Sequence, residues 1–301
     1  MENQRVKFNR KYRLTIQLQD RNGKPTEDVM VIENPIGISF DVKRGIYAEK
    51  QTLDINIYNL STENRDKIFR DLYKIGEFLM VRLEAGYVSL GMSTIFEGFI
   101  WSAYSFRQGT NVITQIKGIT NLGAHESYVN TTLAAGHTTQ DIVDECMKSM
   151  PFYDKGAQVF DNKTFSTSTT LLENTISILK KYTDVDVFID NMRVYILPNN
   201  YAVSIGAVGY TIGDNAGLLS TPRRQDATLT IEMIFEPRIE VGQLITIDSK
   251  VAKQFNGTFR VFGLNHKGTI NDAEASQLTT TIQCNIGSQL FGAFNWEGNV
   301  I

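Results

Sequence analysis

The sequence predicts a mainly β protein in which two similar antiparallel, barrel-like β domains flank a small α+β module. Three observations carry that expectation. Alternating apolar residues dominate both ends of the chain, a helical period takes over in the middle, and the segment "TLDINIYN" at 52–59 is nearly rewritten as "TLTIEMIF" at 228–235. The expected divisions are a first β domain over 1–122, an inserted module over 123–198, and a second β domain with a C-terminal tail over 199–301.

The first third reads as strands. "YRLTIQLQD" alternates over Tyr12, Leu14, Ile16 and Leu18, which buries one face and leaves the other wet. "NGKP" supplies a turn, "VMVIENP" resumes the sheet until Pro35 stops it, and "ISFDVKRG" precedes the strand of Leu53, Ile55 and Ile57. A helix is then expected in "NLSTENRDKIFRDLYKIG", with Ile68, Phe69, Leu72 and Ile75 at helical spacing. Ser61 fits its N-cap, Glu63 suits the first-turn dipole and Gly76 ends it. Strand-like runs "FLMVRLEAGY", "TIFEGFIWSAYSF" and "NVITQIKG" follow, the last two joined by a turn at Gly109 and Asn111.

In the middle, "TTQDIVDECMKSMP" places Ile142, Val143, Cys146, Met147 and Met150 on one helical stripe that ends at Pro151. "TLLENTISILKKY" reads as a second helix, with Thr170 and Glu173 in capping-box spacing and Leu172, Ile176 and Leu179 buried. "DVFIDNMRVYILP" reads as a hairpin around Asp190 and Asn191. Beyond 200 the strands "TLTIEMIF", "QLITIDS", "GTFRVFGLNHKG" and "SQLTTTIQCNIG" follow one another. They match the order of the first block, and a glycine sits within or before the third strand of each set. That agreement of order points to a structural repeat; the plainer reading is two unrelated antiparallel sheets of a common type.

Composition narrows the function. The chain has 301 residues, 42% hydrophobic and 21% charged, with a formal net charge of -3, which offers no basic surface for a nucleic-acid groove or an anionic membrane. No run approaches the roughly 20 apolar residues of a membrane-crossing helix. The opening "MENQRVKFNRKYRLTIQ" lacks the apolar core of a secretory signal, so synthesis and retention in a cytoplasm are expected. In that setting Cys146 and Cys284 are expected to be buried free thiols.

No catalytic, cofactor-binding or metal-binding residue is assigned. His125, His137 and His266 show no metal-ligand spacing and read as surface or turn residues. No nucleophile elbow, phosphate loop or dinucleotide fingerprint is present, and "GAVG" at 206–209 reads as a loop. Glu97, Asp141, Glu145, Asp186 and Asp190 are scattered carboxylates, from which a glycosidase pair would need to be assembled by the fold. Phe99, Trp101, Tyr104 and Phe106 alternate along one strand and read as a core face, the other reading being a sugar or base platform. The C-terminal Leu290, Phe291, Phe294 and Trp296 read either as docking on a partner or as packing on their own domain.

"GLLSTPRRQDATLTIEMIFEPRIEVGQLITIDS" and "FNGTFRVFGLNHKGTINDAEASQLTTTIQC" resemble the C-terminal part of the baseplate hub proteins of phage tails, of the contractile-tail type. The resemblance rests on Gly217, Leu218, Leu219 and Pro222; Pro237, Ile239, Val241 and Gly242; Ile245, Ile247 and Ser249; and Gly257, Phe259, Val261, Leu264 and His266. "IYNLSTENRDKI", "FEGFIWSAYSFRQGTNVITQIKG" and the "T-x-x-D-I-V" segment extend it over almost the whole chain. The long insertion or fused wall-degrading domain of some members is missing, which puts hydrolase activity in doubt.

The resemblance implies a non-enzymatic structural protein of the virion tail baseplate, assembled in the host cytoplasm, with neither cofactor nor membrane anchor. Three chains of two β blocks each would form a pseudo-sixfold ring between a sixfold tail tube and a threefold central spike. Outward strand edges would pair or pack around the ring. Tube, spike and other baseplate proteins would be its partners, and DNA would pass through the channel during genome ejection without specific binding. A tail-associated wall hydrolase and a carbohydrate- or receptor-binding module are the alternatives.

Overall fold

A computed structural model of the chain describes residues 9–20, 22–46, 51–70, 78–122, 124, 127–198, 201–203, 210–213, 217–225, 228–271, 277–285 and 299–300. The fold class is the expected one, mostly β with three described α-helices. The N-terminal strands are β1 (Arg10–Gln19), β2 (Pro25–Glu33), β3 (Ile38–Gly45) and β4 (Thr52–Tyr58), followed by helix α1 (Thr62–Ile68). Then come β5 (Met80–Tyr87), the long β6 (Gly91–Gln108) and β7 (Asn111–Ile119). The middle holds β8 (Tyr128–Leu133), α2 (Thr139–Lys148), β9 (Asp154–Gln158), β10 (Thr169–Asn174), α3 (Thr175–Thr183), β11 (Asp186–Asp190) and β12 (Arg193–Leu197). The last part has β13 (Tyr201–Ala202), β14 (Tyr210–Gly213), β15 (Arg223–Gln225), β16 (Thr228–Ile234), β17 (Leu244–Asp248), β18 (Gly257–Ile270), β19 (Thr279–Asn285) and β20 (Asn299–Val300).

Period-two alternation becomes burial as expected. Tyr12, Leu14 and Ile16 of β1 and Leu53, Ile55 and Ile57 of β4 point into a first core, which Phe235, Ile270 and Leu278 enter from far along the chain. A second core gathers Leu229, Ile231, Met233, Ile245, Val261, Ile282 and Cys284, with Phe188 and Tyr195 reaching in from the middle segment. The third core, around Ile142, Val143, Cys146, Leu171, Ile178 and Val194, takes in Phe99 of β6. Both cysteines are buried free thiols, and burial pushes the Cys146 thiol up to about 12.

Among the described residues one thirteen-stranded sheet runs β15-β16-β19-β18-β3-β4-β7-β6-β5-β1-β2, with β17 joined to β18 and β14 to β17. Separate small sheets, β10-β8 and β11-β12-β9, belong to the middle segment. At the chain end β20 pairs in parallel with β13, while Leu290, Phe291, Phe294 and Trp296 lie outside the described residues.

Two helix expectations need correction. Residues 169–174 are strand β10, paired with β8 from Thr169↔Leu133 to Asn174↔Tyr128, and the helix starts only at Thr175. Asn174, rather than Thr170, caps it by accepting from the backbone N–H groups of Ile176 and Ser177. Leu172 is consequently 60% exposed. The partner strand lies some forty residues upstream, and β-branched Thr169 and Thr170 suit a ladder better than a first helical turn. Helix α1 is capped by Ser61 as expected but stops at Ile68, and Phe69 is 54% exposed. Leu72, Ile75 and Gly76 lie outside the described residues, as does the "GAVG" segment.

Candidate functional site

The part of the molecule with the most to say about function is its sheet, where one arrangement of four strands occurs twice. In the first array β4 pairs with β7, β7 with β6 and β6 with β5; in the second β16 pairs with β19, β19 with β18 and β18 with β17, all antiparallel. The registers agree residue by residue. Leu53 lies opposite Gly118, which lies opposite Ile100; Leu229 lies opposite Cys284, which lies opposite Val261. One residue further on, each long strand carries a bulge, holding Trp101 in the first array and Phe262 in the second. After the bulge, the side chains of Ser105 and Thr114 hydrogen-bond at 3.0 Å, and those of His266 and Thr280 do so at 2.9 Å. The glycines that suggested the repeat are not at equivalent stations: Gly257 stands where the first array has Phe96, and Gly98 where the second has Phe259.

The two arrays are joined through β3. Its one edge pairs with β4, and its other edge pairs with the far half of β18, from Gly263↔Gly45 through Asn265↔Lys43 and Lys267↔Asp41 to Ile270↔Ile38. Lys267 Nζ lies 3.8 Å from Asp41 across this junction. A buried lock holds it to the middle segment. Arg44 of β3 donates from Nε to Asp190 at 2.9 Å and from a second nitrogen to the other carboxylate oxygen, and neither side chain is more than 2% exposed. Burial opposes the Arg44 charge, but the Asp190 charge and hydrogen bonds outweigh it and raise the Arg44 pKa. Asn191, in the β11–β12 turn, accepts from the Glu97 backbone N–H at 3.0 Å, tying the same hairpin to β6.

His266 is at the centre of the junction, fully buried beside Phe235. It was expected at the surface or in a turn; the strand that buries it is paired on both edges, a circumstance invisible to local sequence. Burial, and after it the Arg44 charge, push its pKa down to about 3. Nearby, Glu236 is buried and accepts from Arg238 Nε at 2.6 Å and from the Tyr210 hydroxyl at 2.6 Å. The turn from β16 to β17 holds Pro237, Ile239, Val241 and Gly242, and Gly242 has φ +84°, a region where a side chain is strained.

The aromatic run of β6 corrects the expectation most directly. Phe99 is fully buried, but Trp101 and Tyr104 are each 41% exposed and Phe106 is 39% exposed. The Tyr104 and Phe106 rings meet at 5.9 Å. The strand bulges at Trp101, is buried again at Ser102 and Ala103, and is exposed from Tyr104 onward. Beyond the bulge, β6 pairs with β7 on one edge. On its other edge Arg70 exchanges backbone hydrogen bonds with Ala103, and no described strand pairs with Tyr104–Gln108. At one end of the sheet path β15, whose three residues are exposed, pairs with β16, and at the other end β2 pairs with β1.

One face of the joined sheet is polar. Ser39, Asp41 and Lys43 of β3, Asp54 and Asn56 of β4, Gln115 and Lys117 of β7 and Lys267 of β18 line a shallow groove with Trp101.

Four of the five scattered carboxylates take separate partners. Glu97 pairs with Arg82, Glu145 with Lys148 and Asp190 with Arg44, while Asp141 accepts from the Thr138 backbone N–H that opens α2. Asp186 lies at the start of β11. His137 is buried and stacks on Phe165 at 4.9 Å, and His125 lies outside the described residues. Among the described residues no three His, Cys, Asp or Glu side chains group as metal ligands, and no helix is long and apolar enough to cross a membrane.

Known proteins place this architecture. The model of the family described as baseplate hub gp41 matches residues 12–274. No curated protein matches the chain by sequence. Among solved structures, the 43 kDa tail protein of prophage MuSo2 from Shewanella oneidensis superimposes with a TM-score of 0.58 at 8% identity, over 90% of this chain and 95% of that one. A tail protein from Neisseria meningitidis MC58 gives 0.56 at 10% identity, over 93% and 98%. The E. coli c3393 protein, a component of the type VI secretion system described as similar in structure to T4 tail proteins gp27 and gp5, gives 0.54 at 10% identity, over 83% and 74%. At these identities the likeness is one of fold.

Proposed function

The chain belongs to the baseplate hub gp41 family and is a structural protein of the phage tail; from that premise we propose that three copies close into a ring that adapts a sixfold tail tube to a threefold central spike. The observation that carries the reading is the duplicated four-strand array, equal in register and joined within the chain through β3. A single array per chain would match only one of the two symmetries, whereas two arrays in three copies present six similar units.

In this reading residues 1–122 and 199–301 are the two ring units, and residues 123–198 form a module outside them. The sheet supports that layout, because its apolar face is covered by the chain's own cores while its polar face stays open. A ring built from such a sheet has room inside only for the uncovered face. Three lysines and two aspartates on that face, Lys43, Lys117, Lys267, Asp41 and Asp54, give a nearly balanced lining. Such a lining lets DNA slide past without the multiple phosphate contacts that would hold it. Tube and spike proteins would bind the two rims, and other baseplate proteins the module. The protein would act in the virion baseplate after assembly in the host cytoplasm, by contact and not by catalysis.

Native mass measurement on the purified chain, with class averages from electron microscopy, tests this. A threefold ring is expected; a chain that stays monomeric at high concentration removes the proposal. The exposed Trp101, Tyr104 and Phe106 favour one second reading, a carbohydrate-binding surface. Glycan binding that Trp101→Ala abolishes while the fold persists would support it.

A further inference from the structure

We propose that the outward side of β2 is a docking surface for an extended segment of another protein, one that carries basic, apolar, apolar and basic residues at alternate positions. The inference concerns a single chain and stands whether or not three copies close into a ring. β2 turns Glu27, Val29, Val31 and Glu33 to one side, where they line a shallow groove shared with β1, β5 and β6. On β1, Gln17 lies opposite Val29, Thr15 opposite Val31 and Arg13 opposite Glu33. Val29 is 55% exposed and Val31 49% exposed, and they stand about 7 Å apart along the strand. Glu27 and Glu33 bracket them, roughly 20 Å from each other. Two neighbouring valines in water between two carboxylates gain from being covered, provided that the cover brings cations.

Charge decides what can cover them. Four carboxylates, those of Glu27, Glu33, Glu84 and Glu97, and two guanidinium groups, those of Arg13 and Arg82, line the groove, leaving two negative charges in excess. A purely apolar or acidic partner would desolvate the carboxylates without compensation. A segment with lysine or arginine at both ends of an alternating run sets a cation against each bracketing glutamate and an apolar side chain against each valine. The pattern on β2 is the same in both directions, so either strand polarity fits. A second copy does not offer such a segment. In this chain two basic residues six apart, with apolar residues at the alternate positions between them, occur only at 44–50, and Arg44 is buried against Asp190. The site also occurs once per chain, although the array occurs twice. Val81 lies opposite Gly98 as Ile245 lies opposite Phe259, and the next pair is Arg82 with Glu97 in the first array but Thr246 with Thr258 in the second. Among the described strands the second array ends at β14, and none corresponds to β2.

The experiment uses the full chain and a labelled peptide of the same length as residues 27–33, with lysine at both ends and threonine and valine alternating between. Fluorescence anisotropy at low salt, where exposed charges are least screened, should saturate at one peptide per chain. Val29→Thr with Val31→Thr keeps the β-branched shape and should weaken binding by about three- to tenfold per valine. Glu27→Gln and Glu33→Gln should each weaken it by about two- to fivefold. All four side chains are exposed, so circular dichroism should be unchanged in each variant. Absence of saturation at about millimolar peptide, equal binding of a peptide with glutamate in place of lysine, or undiminished binding by the double valine variant overturns the proposal. Saturation at two peptides per chain assigns the contact to a feature that both arrays share, and overturns it as well. Because binding is counted per chain, its failure leaves the ring reading standing, and a monomeric chain that binds one peptide leaves this surface standing without the ring.

Discussion

Ser105 with Thr114 and His266 with Thr280 occupy the same station in two copies of one array, yet one pair lies at an exposed edge and the other inside the molecule. The strand chemistry is alike; the neighbours are not. In the second array β3 covers the edge, the histidine is dry, and Arg44 and Asp190 close the gap behind it. In the first array the edge carries Tyr104 and Phe106 and ends in open surface. Two copies under the same backbone constraints thus differ in whether a described strand of the chain pairs along the edge, and their side chains record the difference.

The largest test removes the anchor that only the covered junction has. Asp190→Ala leaves the Arg44 charge buried without its partner, which costs on the order of 3–5 kcal/mol. Urea unfolding should show that loss, and Arg44→Met combined with Asp190→Leu should recover most of it. If the single substitution costs less than about 1 kcal/mol, the junction is wet and the contrast between the arrays fails.

The next test exchanges the two stations. His266→Ser leaves a cavity in a closed core and should cost about 2–3 kcal/mol at neutral pH, within the usual range for large-to-small core changes. It should also change the pH dependence. The folded pKa of about 3 is below that of the free side chain, so the unfolded state binds the extra proton. The histidine's contribution is therefore complete above about pH 6.5 and is lost as pH falls toward 3, by about 1.4 kcal/mol per pH unit in that window. Arg44 and Glu236 share the surroundings, so the measured quantity is the difference in slope between wild type and His266→Ser. Equal slopes would mean that His266 is protonated in place.

A subtler contrast concerns volume. Gly118 and Cys284 are at equivalent stations, as are Phe96 and Gly257, so each array places one side chain and one glycine there in opposite order. A Cβ on Gly118 would come within 3.0 Å of the Phe96 ring. Gly118→Cys should therefore cost about 1–3 kcal/mol by overpacking. Added to Phe96→Ala, it should cost less than it does alone, with a coupling of about 1 kcal/mol or more in a double-mutant cycle. Strict additivity would mean that the two stations do not share space.

Much of this was legible in the sequence. The order of the four strands, the 190–191 hairpin, the helix of Ile142, Val143, Cys146 and Met147 and the repeat itself follow from local periodicity and turn chemistry. What escaped depends on residues far away in the chain. Arg44 and Asp190 are 146 positions apart, and nothing near either announces the other. Residues 169–174 read as helix until β8 is in place beside them. Alternation in "FIWSAYSF" identifies a face of a strand, but cannot tell a face covered by the chain's own core from one waiting for a neighbour. Phe99 fits a core face, while Trp101, Tyr104 and Phe106 are exposed.

The smallest expected effect is the reciprocal of the histidine exchange. Ser105→His adds a ring at a position where the free chain has solvent, so its stability should change by no more than about 0.5 kcal/mol. The asymmetry is the point: one exchange of side chains, made in two copies of one backbone, should be costly where β3 lies alongside and nearly silent where no described strand does. A comparable loss from Ser105→His would show that the first array's edge is already packed.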